Sequence, residues 1–401
     1  MELIMKGPPF LRWKNLILYG LAVLFSVELA SLVIVSGVEW FKQHYGIFNA
    51  AEQKERAGIN ARYGVDQDAL ELDIRHLYLD APRFHSYRWF YLQENYQGKY
   101  VRTDAYGFRI DRDALDSTGK RIGFFGGSTM FSTTTRQEGT IPAQFDLRLD
   151  RKAAQSLNFG VGGYSSTTEL FAFIEILRQE RLHYAVFYDG VNEVARYVEK
   201  LQDAPSAPHF EVLGYFFPST SLKAIDLFRG QAVAYELKLP IVVGYVGRVA
   251  DRLLGRRNAN LMVTEENALG HARRIIDIYV ANVRDIAAVA SAHGVTPVFF
   301  WQPDIYLFSG KRLTDRETRI LEQNPAVRLL SQKVRELVRE DRRLAEFRFF
   351  DLSDSLDSLG AQDHFFDYCH VSEEANHLIA SAMAARLKGV LPDHYWKRTG
   401  G

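Results

Sequence analysis

The sequence predicts an α/β fold, a parallel sheet covered by helices on both faces, set behind a single N-terminal transmembrane helix. Three observations predict it. Short apolar runs of strand length alternate with longer stretches whose apolar residues recur at helical spacing, the β-α-β-α-β order of a parallel sheet. Glycine, serine, asparagine and aspartate stand just after those runs, where strand ends meet loops. Near the amino terminus, Leu16 to Val38 reads LILYGLAVLFSVELASLVIVSGV. At about 1.5 Å per residue this crosses a hydrocarbon layer of about 30 Å.

Composition bounds the rest. With 401 residues, 47% hydrophobic and 24% charged, the chain can bury one large core with appendages, which excludes disordered and fibrous classes. Lys+Arg and Asp+Glu are both 49, so there is no electrostatic footprint for nucleic acid. Cys369 is the single cysteine, so no internal disulfide forms.

Lys6, Arg12 and Lys14 precede the apolar span while Glu39 and Lys42 follow it. The positive-inside bias then puts the amino terminus in the cytoplasm and the body on the extracytoplasmic, periplasmic side of an inner or cytoplasmic membrane. A cleaved signal peptide is the competing reading, but its apolar part would be ~7 to 15 residues and end at a small-residue cleavage site. Glu28 falls mid-span, where an ionised carboxylate costs about 2.5–3.5 kcal/mol on insertion scales. It is either protonated or docks the anchor on another integral membrane protein.

Four segments follow from this reading: 1–42, cytoplasmic tip and span; 43–120, stalk and aromatic flap; 121–390, the α/β domain with an insertion at 200–262; and 391–401, a tail. The stalk reads as amphipathic helix with Glu52, Lys54, Glu55 and Arg56 on its solvated side. Residues 78–112 are aromatic and turn-rich, an extended flap over the sheet edge. Strand one, RIGFF, leads into Gly126, Gly127 and Ser128, and a helix follows around 141–149. Strand two, QSLNF, runs into Gly160, Gly162 and Gly163. The next helix carries a capping box from Ser166 to Glu169 and an inward face of Leu170, Phe173, Ile174 and Leu177. Strand three, HYAVFY, ends at Asp189 and Gly190 with Asn192 just beyond. After the insertion, which reads either as an amphipathic helical element or as a lid on the membrane surface, Thr264 caps a helix. That helix turns Ile275, Ile276, Tyr279, Val283, Ile286 and Ala290 inward. Strand four, TPVFFWQ, a polar helix near 326–340, strand five, RFFDL, and a helix starting at Ser372 complete the pattern.

A parallel sheet projects the residues after its strands to one edge, which gathers Ser128, Gly163, Asn192, Asp367 and His370. Their chemistry assigns each a role. Ser128 is the nucleophile, His370 removes and returns its proton, and Asp367 fixes the imidazole tautomer. The N–H of Ser128, the N–H of Gly163 and the amide of Asn192 form an oxyanion hole. Other site classes fit less well. No G-x-G-x-x-G opens a helix after strand one, and no Gly-Lys-Ser/Thr ends a phosphate loop. His364, His370 and His377 are close in sequence, but His364 falls in a loop and His377 on a helix face, away from a metal-ligand arrangement. Cys369 reads as a small packed residue, because neighbours along a backbone usually point apart.

These pieces resemble the sequence blocks of the SGNH (GDSL) hydrolase superfamily. FGGSTMFS is similar to the nucleophile block, with Gly127 where its best-known members carry aspartate. NFGVGGYS is similar to the glycine block, where counting five on from Asn158 gives Gly163. DGVNEV resembles the Gly–Asn block, with Glu193 in place of the usual aspartate, and DYCH resembles the D-x-x-H block. The resemblance spans about residues 121–387. It implies a flavodoxin-like three-layer α/β/α sandwich with five parallel strands. It also implies a metal-independent esterase, lipase or O-acyltransferase with no cofactor, its substrate an acylated envelope glycan, expected to be acetylated, or a lipid ester. A noncatalytic subunit of a membrane polysaccharide assembly or transport complex is the alternative.

Overall fold

The computed structural model describes residues 50–80, 83–85, 89–110, 119–203, 263–308 and 313–397. The predicted span at 16–38, Glu28 and nearly all of the insertion lie outside the described residues. Among the described residues, no helix is long and apolar enough to cross a membrane. By internal contacts the chain divides into two units, and one of them, Lys54–Pro218 with Arg257–Gly401, holds the sheet and the site.

In chain order the elements are α1 (Ala50–Ala61), α2 (Gln67–Arg75), β1 (Arg83–His85), β2 (Trp89–Tyr91), β3 (Lys120–Gly126), α3 (Ser128–Phe131), α4 (Ile141–Asp146), β4 (Ala154–Asn158), α5 (Ser166–Ile176), β5 (Tyr184–Asp189), α6 (Val191–Asp203), α7 (Glu265–Ala292), β6 (Thr296–Trp301), α8 (Asp315–Glu322), α9 (Pro325–Glu340), β7 (Phe349–Asp351) and α10 (Glu373–Leu387). The five apolar runs are the five strands of one sheet, in the order β4-β3-β5-β6-β7 with every neighbouring pair parallel. This is the flavodoxin-like order 2-1-3-4-5.

Because side chains alternate across a strand, each apolar run supplies both faces. Phe125, Phe187 and Phe299 point one way and stack across three strands, with ring centroids 4.9 and 5.4 Å apart. They pack on the buried faces of α5, α6, α7 and α9. Phe124, Val186 and Phe300 point the other way, against α4 and α10. Each of these side chains stabilises the fold by about 1.5–3 kcal/mol through burial.

Local signals place the helices. Thr264 and Asn267 form a capping box at the start of α7, whose buried face includes all six predicted inward residues. His293 ends the helix and Gly294 follows at φ 67°. Ser372 caps α10, with Glu373 and Glu374 in the first turn where the helix dipole favours acids. The cap of α5 lies one residue earlier than the sequence pattern suggests. Ser165 is the N-cap, and Thr168, not Glu169, completes the box by accepting from the Ser165 N–H at 2.8 Å. S-x-x-T and S-x-x-E overlap in SSTTE, and the register that buries Glu169 wins. α8 carries its own capping box at Thr314 and Glu317, although no strand or helix was expected there.

Residues 54–80 pack into the same unit as the sheet. Glu55 and Arg56, expected to be solvated, are half-buried. Glu55 ion-pairs with Arg316 and Arg319, and Arg56 lies over the Phe366 ring, 5.1 Å from its centroid.

Candidate active site

Strand β3 delivers the nucleophile turn. Gly127 is the N-cap of α3, a single turn that begins at Ser128 and ends at Ser132, which adopts a left-handed conformation at φ 63°. That conformation is unfavourable for a residue with a Cβ and is held only where its surroundings over-determine it. The surroundings do so here. Arg109 is buried and donates through Nη1 to the carbonyls of Phe131 and Ser132, at 2.9 and 2.7 Å, and through Nη2 to Thr135 at 2.8 Å. Burial pushes its pKa down to about 10.

The glycine and asparagine segments close on this turn. Gly163 sits at φ 81°, the left-handed region in which glycine is at home, and places Tyr164 beside Gly127. Asn192, on the first turn of α6, donates its Nδ2 to the Tyr164 carbonyl at 2.6 Å. A Cβ built on Gly127 would lie 2.2 Å from that Nδ2 and 3.0 Å from the Tyr164 carbonyl oxygen. The N–H groups of Ser128 and Gly163 make no hydrogen bond to any described residue. Asn192 Nδ2 and the Tyr164 carbonyl thus stand beside Gly127, the residue before the serine.

The loop before α10 carries Asp367 and His370. It doubles back on itself, with Phe366 N–H donating to the His370 carbonyl and Ser372 N–H to the His364 carbonyl, both at 2.8 Å. Asp367 Oδ2 and His370 Nδ1 are 2.6 Å apart, and Asp367 Oδ1 accepts from the backbone N–H of His370 and Cys369 at 2.8 and 3.0 Å. Burial alone would raise the Asp367 pKa. The His370 charge, its hydrogen bond and the two N–H donors outweigh that and hold the carboxyl well below the usual range.

His370 Nε2 is buried and has no hydrogen-bond partner among the described residues, so the expected Ser128–His370 bond is not closed in this structure. The two segments are nonetheless tied together. Thr129 and His370 line one small cavity. Thr134 Oγ1 donates to the Val371 carbonyl at 2.9 Å across 237 residues of sequence, Asn376 Nδ2 donates to the Gly139 carbonyl at 2.9 Å, and Arg136 pairs with Glu373 at 2.9 Å. All five predicted site residues thus lie at the carboxyl edge of the sheet, where β3 and β5 diverge.

Cys369 is a buried, packed side chain as expected, but it does not point away from His370. Its Sγ lies 3.6 Å from His370 Nδ1, because the tight loop does not alternate side chains as an extended strand does. Asp367, Cys369 and His370 each offer a ligand atom within 4.8 Å of the others. Asp367 already accepts three hydrogen bonds there. Burial and the neighbouring Asp367 and Asp304 push the thiol far above its ordinary pKa, which suits an inert packed side chain. His364 is fully buried and bonds Ser372 Oγ at 2.9 Å, while His377 faces Gln144 on the surface of α10.

Several supports of the site had no sequence signal. Besides Arg109, Tyr78 accepts through its hydroxyl from the Gly162 N–H at 2.9 Å, and its ring meets Phe131 edge-on at 5.5 Å. Asn60 donates to the Thr134 carbonyl at 3.2 Å. Residues read as stalk and flap therefore buttress both the nucleophile turn and the glycine loop.

No family model and no curated protein matches the chain. Among solved structures, it is similar to an acetylxylan esterase from Geobacillus stearothermophilus, at 13% identity over 71% of this chain and 100% of the other, with a TM-score of 0.34. It is also similar to a GDSL-like lipase from Bacteroides thetaiotaomicron, at 11% identity over 68% of this chain and 89% of the other, with a TM-score of 0.33. The chain itself is a parallel five-stranded sheet covered by helices, with Ser128, Gly163 and Asn192 after its strands and an Asp367–His370 pair in the loop before α10.

Proposed function

We propose that the protein is a serine ester hydrolase or O-acyltransferase of the SGNH type. The observation that carries this reading is the Asp367–His370 pair at 2.6 Å, which leaves Nε2 as the one unengaged nitrogen of the ring on the edge where Ser128 stands. Ser128 Oγ attacks the ester carbonyl carbon as its proton passes to His370 Nε2. The tetrahedral oxyanion is held by Ser128 N–H, Gly163 N–H and Asn192 Nδ2. Its collapse breaks the bond to the leaving alkoxide, which takes the proton from His370. A water or sugar hydroxyl then gives its proton to His370 and takes the acyl group from Ser128, whose departing Oγ recovers that proton from His370 Nε2. Asp367 steadies the imidazolium in both halves.

The finer reading is an acetyl group on an envelope glycan, handled outside the cytoplasm by a domain tethered through residues 16–38, with Glu28 as a contact to an integral membrane partner. The apolar N-terminal stretch and its flanking charges support the tether. The unclosed Ser128–His370 bond favours a second reading, a noncatalytic subunit that keeps the fold for partner binding. Turnover of p-nitrophenyl acetate decides between them. Catalysis lost in Ser128→Ala, with thermal stability within about 1 kcal/mol of the parent, supports the enzyme. Turnover undiminished in that variant would refute the nucleophile, and its absence from the folded wild type would favour the scaffold.

A further inference from the structure

Beneath the oxyanion donors lies a cluster of three buried carboxyls that the proposed chemistry does not use. Asp189 is the last residue of β5, three before Asn192, and Glu169 is on the first turn of α5, six after Gly163. Glu193 follows Asn192 on α6. Their exposures are 2, 1 and 3%. Glu193 is fully satisfied. Its Oε1 accepts from the Ser166 N–H at 2.7 Å and its Oε2 from the Gly190 N–H at 2.8 Å, which clasps the start of α5 to the turn after β5.

The other two are not satisfied in that way. Both oxygens of Glu169 and Oδ1 of Asp189 are buried with no donor, and Asp189 Oδ2 receives only the Tyr279 hydroxyl, at 3.4 Å. Glu193 from α6 and Tyr279 from α7 are the titratable groups that face them, and no described lysine, arginine or histidine pairs with any of the three. Two bare carboxylates cannot share a dry site without a counter-charge. The Glu193 clasp holds the start of α5, with Glu169, against the turn that follows Asp189, and acceptors buried together there without a donor or cation are accommodated only if a proton lies among them. Burial, then the neighbouring acids, push both groups far above the usual carboxyl range, in line with the geometry.

We propose that Glu169 and Asp189 share a proton, and that this pair is a positioning device which fixes the Gly163 loop against the helix start that carries Asn192. The role assigned to Gly163 and Asn192 rests on the serine-esterase reading, whereas the shared proton does not. Glu169 acts through the two oxyanion segments, so its loss lowers kcat and leaves KM nearly unchanged.

The experiment compares wild type, Glu169→Gln, Glu169→Ala and Asp189→Asn, by thermal unfolding from pH 5 to 9 and by kcat and KM for p-nitrophenyl acetate. A carboxyl protonated in the folded state and ionised in the unfolded state makes stability fall as pH rises above the ordinary carboxyl range. The Tm of wild type therefore drops across this window by several degrees more than that of Glu169→Gln, whose amide supplies the donor at every pH. Glu169→Ala lowers kcat at least 30-fold with KM within 3-fold, and Glu169→Gln recovers kcat to within 3-fold of wild type. Equal Tm slopes in wild type and Glu169→Gln would overturn the shared proton, and a Gln variant as slow as the Ala variant would overturn the positioning role. If Glu169→Gln does not fold, Asp189→Asn is read the same way. Failure of both amides to fold would also overturn the pair, since either one supplies the missing donor. Should the wild type turn over no ester, the esterase reading fails while the Tm slopes still decide the proton.

Discussion

Gly127→Ala separates the oxyanion hole from the stability of the fold. The added methyl would meet Asn192 Nδ2 at 2.2 Å and the Tyr164 carbonyl at 3.0 Å. Gly127 has φ −79°, which alanine adopts freely, so the substitution strains no backbone. The carbonyl must give by a few tenths of an ångström, whereas the amide is the end of a side chain and must swing away. That breaks its 2.6 Å bond to Tyr164 and withdraws one of the three oxyanion donors. The stability cost is one partly exposed hydrogen bond, ~1 kcal/mol. The catalytic cost is the loss of a preorganised donor, about 2.7–4 kcal/mol in the transition state, or roughly 10²–10³ in kcat. Steady-state hydrolysis of p-nitrophenyl acetate, with Tm measured on the same preparation, reads both. A Tm within a few degrees of wild type and kcat down about 100-fold or more is expected. Full kcat in a folded Gly127→Ala protein would refute the placement of Asn192 in the oxyanion hole.

Three further outcomes follow from the same geometry. Asp367→Asn keeps the shape of the loop but loses the anion that sets the His370 tautomer, so kcat falls by on the order of 10⁴, and a loss below tenfold would argue against the triad. Asp304 is pushed up to about 7 from 3.8 by burial, so folding costs it ~4 kcal/mol once the pH exceeds that value. A raised carboxyl favours the folded state least at high pH, and stability falls from about pH 4 to 7. Asp304→Asn, which can still accept from the Tyr306 and Leu307 N–H groups, therefore shows a flatter Tm profile over that window. Arg109→Leu strands the carbonyls of Phe131, Ser132 and Thr135, at ~1–3 kcal/mol each, so denaturant unfolding shifts strongly and the nucleophile turn loosens with it. A variant within 1 kcal/mol of wild type would contradict that support.

The sheet was legible because its signals are local. Five runs such as RIGFF and TPVFFW are too short and too apolar for surface helices, and turn residues bound each of them. The placement of Ser128 and Asn192 just after strands was legible because turn residues follow each apolar run, and the strand ends of a parallel sheet share an edge. What escaped had no period to betray it. Arg109, Tyr78 and Asn60 reach the site from segments far away along the chain, and nothing in those segments points to the carbonyls and N–H groups they meet. Glu169 was misread because SSTTE allows two capping registers, and only the buried partners Asp189 and Glu193 choose between them. Cys369 is packed as its size suggests, but beside His370 rather than away from it, because a doubled-back loop does not follow the alternation of an extended chain.

If Ser128 is an activated nucleophile, it is the residue that a covalent serine probe modifies. Folded protein treated with a fluorophosphonate and mapped by peptide mass spectrometry should carry a single adduct on Ser128. Labelling should be lost in Ser128→Ala and slowed at least 100-fold in His370→Ala. An unlabelled wild type, or an adduct on any other residue, would contradict the account.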